Sequence, residues 1–196
     1  TNLTGASLAH CISVVSAKAV VVDPAHAAAL ETARPHLPRD IAMWGYGECG
    51  HQRLDTVIDS FDGANPAGDE RPALTIEDRC IYIYTSGTTG LPKPCRISHG
   101  RAVMAGAGFG HVVFELGEGD VLYSVLPLYH ASALMLGGGA CLTTGTPMPL
   151  RDGFSARAFW PDVHRYRATA MIYIGELCRY LLASPEHPLE KNSPLR

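Results

Sequence analysis

Apolar residues recur at helical intervals from Leu3 to Ser16, at Leu3, Leu8, Cys11, Ile12 and Val15, which predicts a helix. The run Lys18-Ala19-Val20-Val21-Val22-Asp23 then reads as a short, buried strand. Pro24 to Arg34 is alanine-rich and helical until Pro35 stops it, and Ile41 to Trp44 reads as a second strand before a glycine-rich turn at Gly45 to Gly50. Ser60 to Pro72 collects Gly, Pro, Asp and Asn with little periodic apolar content, so it is expected to be an exposed loop that divides the chain into two unequal α/β portions.

The alternation resumes after that loop. Cys80 to Tyr84 and Cys95 to Ile97 read as strands, and a helix follows from about Gly100 to His111 with Ser98 as its cap. Further strands are expected at Asp120 to Val125 and Ala168 to Ile172. Helices are expected at Ala131 to Leu142, Ser155 to Tyr166 and Glu176 to Ala183. Helix and strand in turn predict an α/β fold.

Between the strands ending at Tyr84 and beginning at Cys95 lies Thr85-Ser86-Gly87-Thr88-Thr89-Gly90-Leu91-Pro92-Lys93. A hydrophobic strand that ends in a glycine-punctuated polar turn can aim successive backbone N–H groups at an anion. Gly87 and Gly90 allow backbone angles closed to other residues and let phosphate oxygens approach closely. The hydroxyls of Thr85, Ser86, Thr88 and Thr89 add donors that a purely structural turn would not require. Lys93, between the stiff Pro92 and Pro94, supplies positive charge for β- and γ-phosphates. The spacing is not that of a Walker loop, because the glycines are three apart and Lys93 is followed by Pro94 rather than Ser or Thr.

Composition narrows the surroundings of that loop. Of 196 residues, 46% are apolar and the net charge is −3, enough material for a packed core without a basic run that would follow a nucleic-acid backbone. The six cysteines are scattered and form no C-x-x-C pair, so they are expected to be reduced, packed thiols of an intracellular protein rather than disulfides or metal ligands. The chain opens on Thr1 without a secretory leader, and its longest weakly polar stretch, Ala131 to Leu142, is too short and too glycine-rich to span a bilayer. Both ends look cut, so an internal fragment is expected.

With these residues in place the chain becomes recognisable. Tyr84 to Lys93 resembles the phosphate loop of the adenylate-forming (AMP-binding) superfamily, and Asp120 to His130 resembles its second core motif. Phe154 to Trp160, the stretch Tyr173 to Leu182 (YIGELCRYLL) and the opening Thr1 to Cys11 resemble the fatty acid transport protein and very-long-chain acyl-CoA synthetase family. The resemblance implies part of the large N-terminal domain of such an enzyme, a mostly parallel sheet flanked by helices. It also implies ATP as substrate, CoA as co-substrate and a fatty acid as the activated acid. Mg2+ is implied too, with its ligand, the ribose-binding aspartate and the C-terminal domain with its catalytic lysine expected outside this chain. The competing readings are an adenylate-forming ligase for a bile or aryl acid, and a fatty acid binding or transport module without ligation. Peripheral membrane association and oligomeric state stay open.

The resemblance places His130 beside the reacting carboxylate and the ATP phosphates, where an imidazole can orient that carboxylate; a helix-start residue that caps or packs is the alternative. Tyr173, Gly175 and Glu176 fall where the family has a wall of its acyl pocket, with core packing as the alternative. Gly137-Gly138-Gly139 strips side-chain bulk from an apolar helix at a cost of roughly 1 kcal/mol per glycine, so something should use the space, an acyl chain against Gly138 or a tightly packed neighbouring strand. If Glu176 is buried it needs a partner, and Arg179 is placed to supply one. His99 reads as a helix-entry residue.

Overall fold

The computed structural model describes residues 3–85 and 90–196. They form two compact units, Thr1–Leu74 with Tyr84–Arg96, and Thr75–Ile83 with Ile97–Arg196.

The first unit begins with α1 (Gly5–Val14), β1 (Ala19–Val22) and α2 (Pro24–Ala33), and continues through β2 (Ala42–Gly45), β3 (Gln52–Arg53) and α3 (Leu54–Ile58). β1 and β2 are parallel, with Val22 opposite Gly45, and β2 pairs in parallel with β3. A parallel pair needs a crossover, and α2 provides it. Asp23 starts that helix by accepting a 2.8 Å hydrogen bond from the Ala25 amide, and Pro24 fills the first turn where its missing N–H costs nothing. α1 and α2 pack together and bury Ala9, Cys11, Leu30 and Ala33. The expected buried strand at Lys18 to Asp23 is shorter and only half buried: Val22 faces inward, whereas Val21 is 52% exposed. Successive side chains of a strand point to opposite faces, and only one face of β1 is covered. Residues 60–72 are exposed throughout and contain one short 3-10 turn, Gly68–Glu70.

β4 (Arg79–Thr85) pairs with β5 (Lys93–Ser98), and each contributes residues to both units. β5 runs directly into α4 (His99–Ala107), where the Ser98 hydroxyl accepts from the Arg101 amide at 3.3 Å. The second unit then holds β6 (Leu122–Ser124), α5 (Gly139–Thr144), α6 (Ala156–Tyr166), β7 (Ala170–Ile172) and α7 (Gly175–Leu182). β6 and β7 are parallel, with Tyr123 opposite Met171. All three residues of β6 are buried. The period of two sends Leu122 into a cluster with Ala140, Cys141 and Ala170, and Tyr123 into a second cluster with Phe159, Val163 and Leu177. A strand covered on both faces and paired in parallel is the arrangement of an α/β layer.

Two expected helices change winding along their length. α4 continues from Gly108 to Val113 as a π-helix, closed by a 2.8 Å bond from the Phe114 amide to the Phe109 carbonyl. The helix expected over Ala131 to Leu142 is a π-helix over Ser132–Gly138 that passes into α5. Wider winding rotates the residues beyond it relative to a regular helix, so 3.6-residue periodicity misplaces the exposed side chains there.

Candidate functional site

The phosphate-loop residues that the structure describes sit where β4 ends and β5 begins. Thr85 is the last residue of β4 and Lys93 the first of β5, and the Thr85 hydroxyl donates to the Lys93 carbonyl at 3.4 Å. The strand end is held further back by Tyr84, whose hydroxyl donates to the Cys11 carbonyl in α1 of the same unit. Gly90 has φ +126°, in the region that favours glycine, and among the described residues nothing lies within 4 Å of where a Cβ would stand. Thr85, Gly90 and Lys93 are exposed. Ser86, Gly87, Thr88 and Thr89 lie outside the described residues. The paired strands end on Thr85 and begin on Lys93 at the two stems of the loop.

That chemistry suits a polyphosphate: a lysine, a hydroxyl and a glycine in an open backbone conformation, gathered at a loop mouth. Among the described residues no group of three or more His, Cys, Asp or Glu is placed to hold a metal ion.

His130 belongs to the second unit. β6 leads through buried Val125 and Leu126 into the exposed run Pro127-Leu128-Tyr129-His130. The His130 amide closes a turn onto the Pro127 carbonyl at 3.0 Å, and its own carbonyl accepts from the Leu134 amide at 3.0 Å. Its backbone therefore starts the following helix, while its imidazole stays exposed beside the Tyr129 ring, with centroids 4.5 Å apart. His99 stands at the start of α4, donates its amide to the Asp78 carbonyl at 3.0 Å and lines an apolar cavity of about 350 Å3 with Ile81, Val103 and Leu142.

Of the four residues proposed for an acyl pocket, Gly138 and Tyr173 line different cavities. Gly138 lines an open cavity of about 500 Å3 with Leu128, Leu134 and Met148. Tyr173, 54% exposed, lines a different one of about 490 Å3 with Phe114, Met171 and Arg196. Gly175 and Glu176 are exposed at the start of α7. Glu176 is not a buried acid in need of rescue. It accepts from Arg179 Nε at 3.0 Å on the surface, and Arg179 first, then Tyr180, holds its carboxyl below the ordinary glutamate range. The glycine run is used for close packing at two of its positions: Gly139 meets Gly106 of α4, and Gly137 approaches Ile172 of β7 and Met148.

One polar residue of the second unit escaped the sequence reading. Asp162 is 6% exposed on α6, where its Oδ2 accepts from the Tyr123 hydroxyl at 2.9 Å and pairs with Arg151 Nε at 3.2 Å. Burial first, and the Asp162 carboxylate second, push the Tyr123 hydroxyl well above the ordinary tyrosine range. A signal was present: Phe159, Asp162, Val163 and Tyr166 share one helical stripe, and an aspartate among apolar stripe positions implies a buried partner. The cysteines carry no comparable chemistry. All six are free, and burial pushes the Cys141 thiol up to about 11, which keeps it neutral.

The profile of the AMP-binding enzyme family matches residues 1–196. Human long-chain fatty acid transport protein 1 is 37% identical over the whole chain, which spans 31% of that protein's length. A benzoate CoA ligase from Burkholderia xenovorans LB400 superposes with a TM-score of 0.80 at 21% identity, over 100% of this chain and 38% of that one. ATP-bound MatB from Rhodopseudomonas palustris superposes with a TM-score of 0.72 at 24% identity, over 91% of this chain and 34% of that one. At these identities the likeness to the two solved structures is one of fold. With the family profile covering its full length, the chain belongs to the AMP-binding enzyme family.

Proposed function

We propose that this chain is part of a long- or very-long-chain fatty acid:CoA ligase, and that it supplies the phosphate grip for the adenylation half-reaction. The observation that carries the reading is the loop mouth, where β4 and β5 hold Thr85 against Lys93 in a chain that belongs to the AMP-binding enzyme family. The fatty acid class rests on the 37% identity to a long-chain fatty acid transport protein.

In the proposed reaction a carboxylate oxygen attacks the α-phosphorus of ATP, forming acyl-adenylate as pyrophosphate leaves. CoA thiolate then attacks the acyl carbonyl and AMP departs. Thr85, Gly90, Lys93 and the intervening Ser86, Gly87, Thr88 and Thr89 would hold the β- and γ-phosphates, which fixes the α-phosphorus for in-line attack and balances the charge gathering on pyrophosphate. His130, exposed at the end of the β6 segment, would orient the attacking carboxylate. Gly138, Tyr173, Gly175 and Glu176 are proposed to border the acyl chain, in more than one stretch of wall. Mg2+ would neutralise phosphate charge. Its ligands are expected in other parts of the protein, as the family resemblance implies.

The likeness to a fatty acid transport protein favours a second reading, a module that moves fatty acid without ligating it. Fatty-acid-dependent ATP–pyrophosphate exchange in the full-length protein, with acids of graded chain length and benzoate as comparison, separates the two. Exchange that rises with long-chain acids supports the ligase, exchange with benzoate alone reassigns the acid, and no exchange with any acid supports the transport module. The isolated 196 residues are expected to form no acyl-CoA.

A further inference from the structure

A buried carboxylate is costly unless hydrogen-bonded and paired, and Asp162 is both, with the Tyr123 hydroxyl in the core and Arg151 at the surface. Its two partners lie on adjacent backbone segments. Tyr123 is the central residue of β6, and Arg151 follows Leu150, which bridges in parallel to Ser124 of β6. The Ser124 amide also donates to the Pro149 carbonyl at 3.4 Å. From one helix, Asp162 thus holds both segments at the point where β6 ends, while Phe159, one turn earlier on α6, meets the Tyr123 ring edge-on at 5.8 Å between centroids. Beyond that point Ser124 Oγ accepts from the Leu126 amide at 3.4 Å, and the chain emerges as Pro127 to His130.

We propose that the Asp162–Tyr123–Arg151 cluster is a positioning clamp that sets the exit direction of β6 and thereby the placement of His130 for the adenylation step. This rests on the reading of His130 as the residue that orients the carboxylate. The hydroxyl–carboxylate bond gives the strand end a direction that an apolar contact would not, because a hydrogen bond weakens steeply with misalignment. Asp162, Tyr123 and Arg151 are positioning residues and need not touch substrate.

The test is a double-mutant cycle in the full-length protein, with Tyr123→Phe, His130→Ala and the pair, reading kcat for fatty-acid-dependent pyrophosphate release, KM for ATP and the thermal midpoint. Tyr123→Phe is expected to lower kcat by about tenfold with KM for ATP unchanged, and to lower it no further once His130 is alanine. Its effect on the thermal midpoint is expected to be the same in both backgrounds. Asp162→Asn, which keeps an oxygen to accept from Tyr123, is expected to lose less than Tyr123→Phe. Additive losses in kcat, or no loss in Tyr123→Phe, overturn the clamp while leaving His130 in its role. An unaffected rate in His130→Ala overturns the reading beneath it and the clamp as well.

Discussion

Gly106 and Gly139 meet with no side chain between them: a Cβ on Gly106 would stand 2.5 Å from the Gly139 carbonyl oxygen and 2.6 Å from its carbonyl carbon. The obstacle is backbone on both helices, so neither can swing a side chain away. Gly106→Ala is therefore expected to destabilise the second unit by about 1–3 kcal/mol through overpacking. Gly108→Ala is the control, since among the described residues nothing lies within 4 Å of its would-be Cβ, and the helix propensity of alanine favours it by up to about 1 kcal/mol. Urea denaturation of both variants checks the contrast, and equal midpoints would remove the close crossing.

Asp120 ties the start of β6 to two distant segments. Its Oδ1 accepts from the Thr169 hydroxyl at 2.6 Å, and its Oδ2 accepts from the Gly117 amide and from Arg196 Nη2, each at 2.8 Å. The Thr169 bond first, then the Gly117 amide, holds its carboxyl below the ordinary aspartate range. A depressed folded value means the unfolded chain binds the proton first. The stabilisation is thus complete above the ordinary value of about 4 and is lost as pH falls through the folded one. Asp120→Asn is expected to cost roughly 1–3 kcal/mol at pH 7, with the gap to the parent narrowing steadily below about pH 4. A gap that is constant from pH 7 to pH 2 contradicts the assignment.

Tyr173 and Glu176 are exposed, and the Glu176–Arg179 pair is a surface contact that salt screens. Tyr173→Ala and Glu176→Ala are expected to leave the thermal midpoint unchanged. If the two residues border the acyl chain, as proposed, both variants shift the chain-length profile of the full-length protein. An unchanged profile with an unchanged midpoint removes them from the acyl wall.

The α/β fold and its helices were legible because long amphipathic stretches such as Ser155 to Tyr166 and capped starts such as Ser98 carry their signal locally. What was hidden depended on tertiary partners. Val21 sits in an apolar run that looks buried, yet only one face of β1 is covered. β3 and α3 are two and five residues long, too short to show a period. The switch to π winding at Gly108 and Ser132 is invisible to a 3.6-residue template. Among the candidate site residues, the loop announced itself through its own glycines and Lys93. Asp162 shows in the sequence only as an aspartate on an apolar stripe, and nothing local identifies its partners, Tyr123 on β6 and Arg151. Glu176 takes Arg179 as its partner, as their spacing suggests, but at an exposed helix start rather than in the core.

The proposal that the loop at Thr85 to Lys93 grips ATP phosphates for fatty acid adenylation is tested most directly by single-turnover pyrophosphate release in the full-length protein, comparing the parent with Lys93→Ala. Lys93 is exposed, so the variant is expected to fold with an unchanged thermal midpoint. Loss of a charge aimed at the departing pyrophosphate is expected to slow release by about a hundredfold or more. Release at the parent rate, with unchanged affinity for ATP, would contradict the phosphate grip.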